Sequence, residues 1–199
     1  MFLENTAKNE QRSGWIEVIC GSMFSGKTEE LIRRLNRAKI ANQRVQIFKP
    51  LKDKRYAETS VVSHNENAIE SIPIESSVSM YDHIHDVNVI GIDEAQFFDL
   101  ELVDVCQKLA LKGIRIVIAG LDMDFRGKPF GPIPHLLSVA DYITKVHSIC
   151  HHCGSLASHS YRLSEEMETV VIGEKDKYDT RCRICYVMGN FLDFRKKPK

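Results

Sequence analysis

The sequence has no surplus of charge of either sign, because Lys and Arg number 27 and so do Asp and Glu. No global positive field draws the chain onto nucleic acid or an anionic membrane, so neither is an expected partner. Long apolar runs are missing too: nowhere do about 18 apolar residues follow one another, which excludes a membrane-spanning helix. The opening Met1-Phe2-Leu3-Glu4-Asn5 lacks the basic segment and apolar core of a secretory signal, so a cytoplasmic protein is expected. There is no internal repeat and no low-complexity tract. At 43% hydrophobic and 27% charged, 199 residues suffice for one α/β core and a small appendage, not for two large domains.

What is present is sharper. Gly21-Ser22-Met23-Phe24-Ser25-Gly26-Lys27-Thr28 matches the phosphate-binding pattern G-x-x-x-x-G-K-[ST] at every fixed position. Two glycines let the backbone curl so that its N–H groups face phosphate, Lys27 reaches the β and γ oxygens, and the Thr28 hydroxyl meets magnesium. The context fits, with an apolar strand Trp15 to Cys20 before the loop and a helix to about Ala41 after it, its apolar face formed by Leu31, Leu35 and Ala38. A nucleoside triphosphate is the expected ligand.

Further strands are read at Arg44–Lys49, closed by Pro50, at Val87–Ile92, at Ile114–Gly120 and at Tyr142–Val146. A helix with Leu102, Cys106 and Leu109 on one face separates two of them. Strands alternating with helices imply a mostly parallel sheet. Residues 51–60, polar and irregular, follow a strand where such sheets keep binding loops. Asp93 and Glu94 stand at the carboxyl end of the Val87–Ile92 strand, Asp93 as a magnesium ligand and Glu94 as a general base.

Six cysteines in a reducing compartment are expected as thiols or metal thiolates. Cys20 and Cys106 read as buried strand and helix residues. Cys150-His151-His152-Cys153 and Cys182-Arg183-Ile184-Cys185 are two C-x-x-C knuckles with the spacing of a tetrahedral zinc site. His151 and His152 could compete as ligands, but four thiolates already complete the shell. The long connection between Cys153 and Cys182 is expected to carry a job of its own.

Together with Gly120-Leu121-Asp122-Met123-Asp124-Phe125 and Lys128-Pro129-Phe130-Gly131, these motifs closely resemble thymidine kinases of the cytosolic and bacterial zinc-containing type, over roughly residues 15–190. The resemblance implies an α/β phosphate-loop, RecA-like domain over 14–148 with helices on both faces of its sheet. It implies a small zinc-ribbon and lasso domain over 149–192, flanked by a loose tail at 1–13 and a basic tail at 193–199. It implies transfer of the γ-phosphoryl of ATP to the 5′-hydroxyl of thymidine, giving dTMP, with Glu94 as base. Residues 21–28 and Asp93-Glu94-Ala95-Gln96 would serve ATP and its Mg2+, and the four knuckle cysteines would hold one structural Zn2+.

By the same resemblance Met23, Phe97, Leu121, Phe125 and Phe130 line the nucleoside pocket, and Asp53 and Arg55 lie near the sugar and the transferred phosphate. The stretch Tyr161 to Tyr178 would be a lasso over the thymine, with Val170, Val171, Ile172, Gly173 and Glu174 at its centre and Tyr178 at its end. A homotetramer inhibited by the end product dTTP is also implied. Two other readings follow from the residues alone. A nucleic-acid-dependent ATPase with a zinc knuckle is opposed by the balanced charge and short chain, and a zinc-stapled nucleotide-binding adaptor by Glu94 beside Asp93.

Overall fold

The computed structural model describes residues 13–51, 60–62, 68–163 and 177–196. Its elements in chain order are β1 (Ile16–Gly21), α1 (Lys27–Ile40), β2 (Val45–Pro50), β3 (Ser60–Val62), β4 (Ala68–Glu70), β5 (Ile72–Ile74), β6 (Val89–Ile92), α2 (Leu102–Leu111), β7 (Arg115–Leu121), α3 (Ile133–Val139) and β8 (Tyr142–Lys145). They continue with β9 (Ser148–Ile149), β10 (Leu156–Ala157), β11 (His159–Arg162), β12 (Tyr178–Arg181) and α4 (Arg183–Lys196). Helix α4 runs through Lys196, into the stretch read as a basic tail.

Six strands form one sheet in the order β5-β2-β6-β7-β1-β8, and every pairing in it is parallel. Strand β7 lies between β1 and β6, so the phosphate-loop strand and the Asp93 strand are separated by one neighbour. Alternate residues of the sheet face opposite sides. Ile116 and Ile118 of β7 pack with Leu102, Val105 and Leu109 of α2 and with Ile133 and Leu136 of α3. Val117 and Ala119 face the other way, onto Leu31, Leu35 and Ala38 of α1. Helices therefore cover both faces, as a fully buried parallel sheet requires.

Strand β5 was not legible as a strand. It is three residues long and contains Pro73, tolerable only because β5 is an edge with one hydrogen-bonded neighbour. Beyond β8 the chain leaves the sheet and forms two antiparallel pairs, β9 with β10 and β11 with β12. These pairs and the start of α4 carry the cysteines. No helix among the described residues is long and apolar enough to cross a membrane.

Candidate active site

The carboxyl ends of β1, β6 and β7 meet at one edge of the sheet, where parallel α/β folds place their ligands. The loop after β1 bends tightly: Gly21 has φ 152, and a Cβ there would lie 2.2 Å from the Val146 carbonyl oxygen. Gly26, at φ 82, caps α1 in the left-handed region that glycine enters without strain. Ser25 Oγ donates to the Ser22 carbonyl at 2.8 Å and Lys27 Nζ to the same oxygen at 2.7 Å. The N-terminus of α1 faces the loop, a ready anion site, and Thr28 lies in its first turn.

Thr28 reaches Asp93 across the gap that β7 leaves between β1 and β6. Its hydroxyl donates to Asp93 Oδ2 at 3.2 Å, and Oδ1 lies at 3.4 Å. Burial, and then the charge of neighbouring Glu94, push the Asp93 carboxyl up to about 7. The Glu94 N–H, Lys27 and Thr28 pull the other way. A hydroxyl and a carboxylate so placed are hard oxygen donors, the set that suits magnesium.

Glu94 itself is held in an unusual backbone state, φ 49 and ψ 38. Left-handed non-glycine residues are uncommon and gather at functional sites. Its N–H donates to Asp93 Oδ1 at 2.9 Å, which fixes the turn. Gln96 then braces the side chain: Nε2 donates to Glu94 Oε2, while Oε1 accepts the Leu121 N–H at 2.9 Å. Gln96 is 2% exposed; its bond to Leu121 is buried and its bond to Glu94 partly so. Gly120 leaves room for it, since a Cβ there would come within 2.9 Å of Gln96 Oε1. The sequence marked Gln96 as a nucleotide contact and gave no sign of this bracing role.

The loop after β7 supplies the aromatic side of the site. Asp124 organises it, its Oδ1 accepting the N–H groups of Arg126 and Lys128 at 2.9 Å each. Phe130 meets Phe97 edge-on, with ring centroids 5.7 Å apart. Met23, Phe97, Phe125 and Phe130 are partly buried, and Leu121 is buried. Arg162 Nε donates to the Tyr178 hydroxyl at 3.1 Å, and its guanidinium carbon lies 3.6 Å from the centroid of the Phe125 ring. Two expected pocket residues are thus joined through a buried arginine that sequence reasoning did not single out. Ser160 and Tyr186 went equally unmarked, and nothing in the one-dimensional pattern points to them. Asp53, Arg55, Val170, Val171, Ile172, Gly173 and Glu174 lie outside the described residues.

The cysteines of the two knuckles converge. The Sγ atoms of Cys150, Cys153, Cys182 and Cys185 all lie within 4.8 Å of one another. Four sulfurs at ~2.3 Å from one tetrahedral ion stand ~3.8 Å apart; Cys153 and Cys182 are separated by 3.7 Å. The Ser155 hydroxyl and N–H bring Cys153 down to about 6, so a thiolate is readily available there. Burial pushes Cys150 up, but backbone N–H groups of Cys182, Cys153 and His152 more than offset it. The site fits zinc with no open position. His152 Nδ1 lies 3.6 Å from Cys185 Sγ, close to the cluster but outside the set of four. Cys20 and Cys106 are buried away from it, as expected.

A family model described as thymidine kinase matches residues 14–186. The chain belongs to the thymidine kinase family. A thymidine kinase of Bacteroides thetaiotaomicron is 55% identical over 196 residues, covering 98% of each chain. One from Porphyromonas gingivalis is 58% identical over 184 residues, 92% of this chain and 90% of the relative. One from Rhodothermus sp. is 58% identical over 173 residues, 87% and 81% respectively. The similarity to these thymidine kinases therefore runs through both the sheet domain and the cysteine cluster.

Proposed function

We propose that this chain transfers the γ-phosphoryl group of ATP to the 5′-hydroxyl of thymidine, giving dTMP and ADP. The observation that supports it best is the meeting of Thr28 with Asp93, beside a Glu94 braced by Gln96. The phosphate loop, residues 21–28, binds the triphosphate through backbone N–H groups. Lys27, now on the Ser22 carbonyl, turns to the β and γ oxygens when ATP binds. Thr28 and Asp93 would hold Mg2+, which neutralises charge on those oxygens. Ala95 and Gln96 complete the nucleotide side.

Glu94 accepts the proton of the 5′-hydroxyl as its oxygen forms the new bond to the γ phosphorus. The bond from that phosphorus to the β–γ bridging oxygen breaks, and ADP leaves. Met23, Leu121, Phe97, Phe125, Phe130 and Tyr178 enclose the nucleoside, and residues 170–174 close over the base with peptide groups. Asp53 and Arg55 serve the sugar and the transferred phosphate. The four knuckle cysteines would hold one zinc ion per chain and so tie both ends of the closing segment, making that segment cheaper in entropy to order than a free loop.

We further propose a cytoplasmic homotetramer inhibited by dTTP; both properties extend the family resemblance, and a reducing cytosol keeps the four thiols available to metal. Labelled-phosphate transfer from ATP to a panel of nucleosides tests the main reading. Thymidine should be the preferred acceptor, deoxyuridine a weaker one and purine nucleosides inert. ATP hydrolysis stimulated by DNA, without any labelled nucleotide product, would overturn it.

A further inference from the structure

Tyr186 directly follows Cys185 in the first turn of α4, and its side chain leads away from the cysteine cluster toward the loop after β7. Its hydroxyl donates to the Phe125 carbonyl at 2.8 Å. The ring is buried, stacked on His159 with centroids 4.5 Å apart and meeting Tyr161 edge-on at 6.1 Å. The loop is shaped around it: Gly127 turns at φ 70, and a Cβ there would sit 3.3 Å from the Tyr186 hydroxyl oxygen. From its ring side, Phe125 is covered by the Arg162 guanidinium. Phe125 is therefore held at its carbonyl by a residue rooted in the cysteine cluster and at its ring by a residue that also holds Tyr178.

We infer that Tyr186 is a positioning residue for the nucleoside. It transmits the order of the four-cysteine cluster to the Phe125 wall of the pocket, so that the metal site sets nucleoside affinity through a defined hydrogen bond. Four facts support this: the hydrogen bond to the Phe125 carbonyl, the ring stack behind the phenol, the glycine turn that receives it, and adjacency to Cys185. The inference rests on the proposed assignment of Phe125 to the nucleoside pocket. Among the described residues Tyr186 is hydrogen-bonded neither to the phosphate loop nor to Glu94, so the chemical step does not pass through it.

The test is Tyr186→Phe, which removes one hydroxyl and keeps the ring stack, measured in the zinc-loaded full chain. Loss of this partly buried hydrogen bond should raise the thymidine KM roughly 3- to 10-fold. The ATP KM, kcat and zinc content should stay within about twofold of the parent. In a Phe125→Leu background, where the wall is already lost, Tyr186→Phe should have little further effect on the thymidine KM. An unchanged thymidine KM, or thymidine KM, ATP KM and kcat all worsening together, would overturn the inference. So would fully additive effects with Phe125→Leu. Failure of the underlying functional reading looks different, since the parent protein itself would then not phosphorylate thymidine.

Discussion

The hydroxyl oxygen of Ser160 accepts the backbone N–H of Met23 at 3.0 Å, which bonds strand β11 directly to the phosphate loop. The two residues are 137 positions apart in sequence. One comes from the phosphate loop and the other from β11, the strand that leads into the proposed lasso segment and pairs with β12 beyond it. On the proposed site assignment, a change at either end should be felt by both substrates. Ser160→Ala should lower kcat/KM for ATP and for thymidine together, each roughly 3- to 10-fold, because a partly buried N–H loses its acceptor. Steady-state kinetics with each substrate varied in turn would show this, and a loss confined to one substrate would refute the coupling.

Gln96 should matter for rate more than for binding. Gln96→Met keeps the volume but removes the donor to Glu94 and the acceptor of the Leu121 N–H. The freed carboxylate then samples unproductive positions, and kcat should fall ~10-fold or more while both KM values change little. Equal loss in kcat and in thermal stability, rescued at low temperature, would reduce Gln96 to a packing residue.

The cysteine cluster should hold one structural zinc. Cys182→Ser should release the ion, lower the melting temperature and loosen residues 150–190, while ATP analogues still bind the phosphate loop. Elemental analysis and calorimetry check this. Activity that rises in proportion to free zinc would contradict a structural role, because four protein ligands leave no site for chemistry.

A charge network far from the chemistry predicts how stability depends on pH. Glu17 on β1 is buried and pairs with Arg34 of α1 at 2.7 Å and with Arg115 of β7 at 2.7 Å. Burial pushes its carboxyl up, but Arg115, Trp15 and Arg34 outweigh this and hold it below its ordinary value. Glu30, bonded to Arg33 and Arg34, is brought down to about 2. Depressed carboxyls contribute stability that is complete above their unfolded value, about 4.3, and lost as pH falls through the folded one. Melting temperature should therefore be insensitive to these groups near neutrality and decline between about pH 5 and pH 2. Glu17→Gln removes the buried carboxylate between Arg34 and Arg115, leaving Arg34 with Glu30 and Thr144, and should cost ~2 kcal/mol at pH 7, with a shallower acid decline. An unchanged acid profile would show that the network carries none of it.

How much of this could be read in one dimension depended on how local the cause was. β1, the phosphate loop and α1 were legible because apolar period, glycine spacing and Lys27-Thr28 all lie within one stretch. The place of Asp93 and Glu94 at the end of an apolar strand was legible for the same reason. The bond of Thr28 to Asp93 was foreseeable only as a shared ion. Contacts made by folding were silent: Ser160 with Met23, Arg162 with Phe125 and Tyr186 with the Phe125 carbonyl each join residues far apart in sequence. Pro73 masked β5, since a proline argues against a strand until its edge position is known.

The most direct test of the central claim is the turnover of Glu94→Gln with ATP and thymidine, alongside direct binding of both ligands. The amide retains the shape and still accepts from Gln96, but it cannot take the 5′-hydroxyl proton. The account predicts that binding stays near the parent's while kcat falls at least ~100-fold, the scale of lost general-base assistance. A variant that keeps most of its turnover would contradict it.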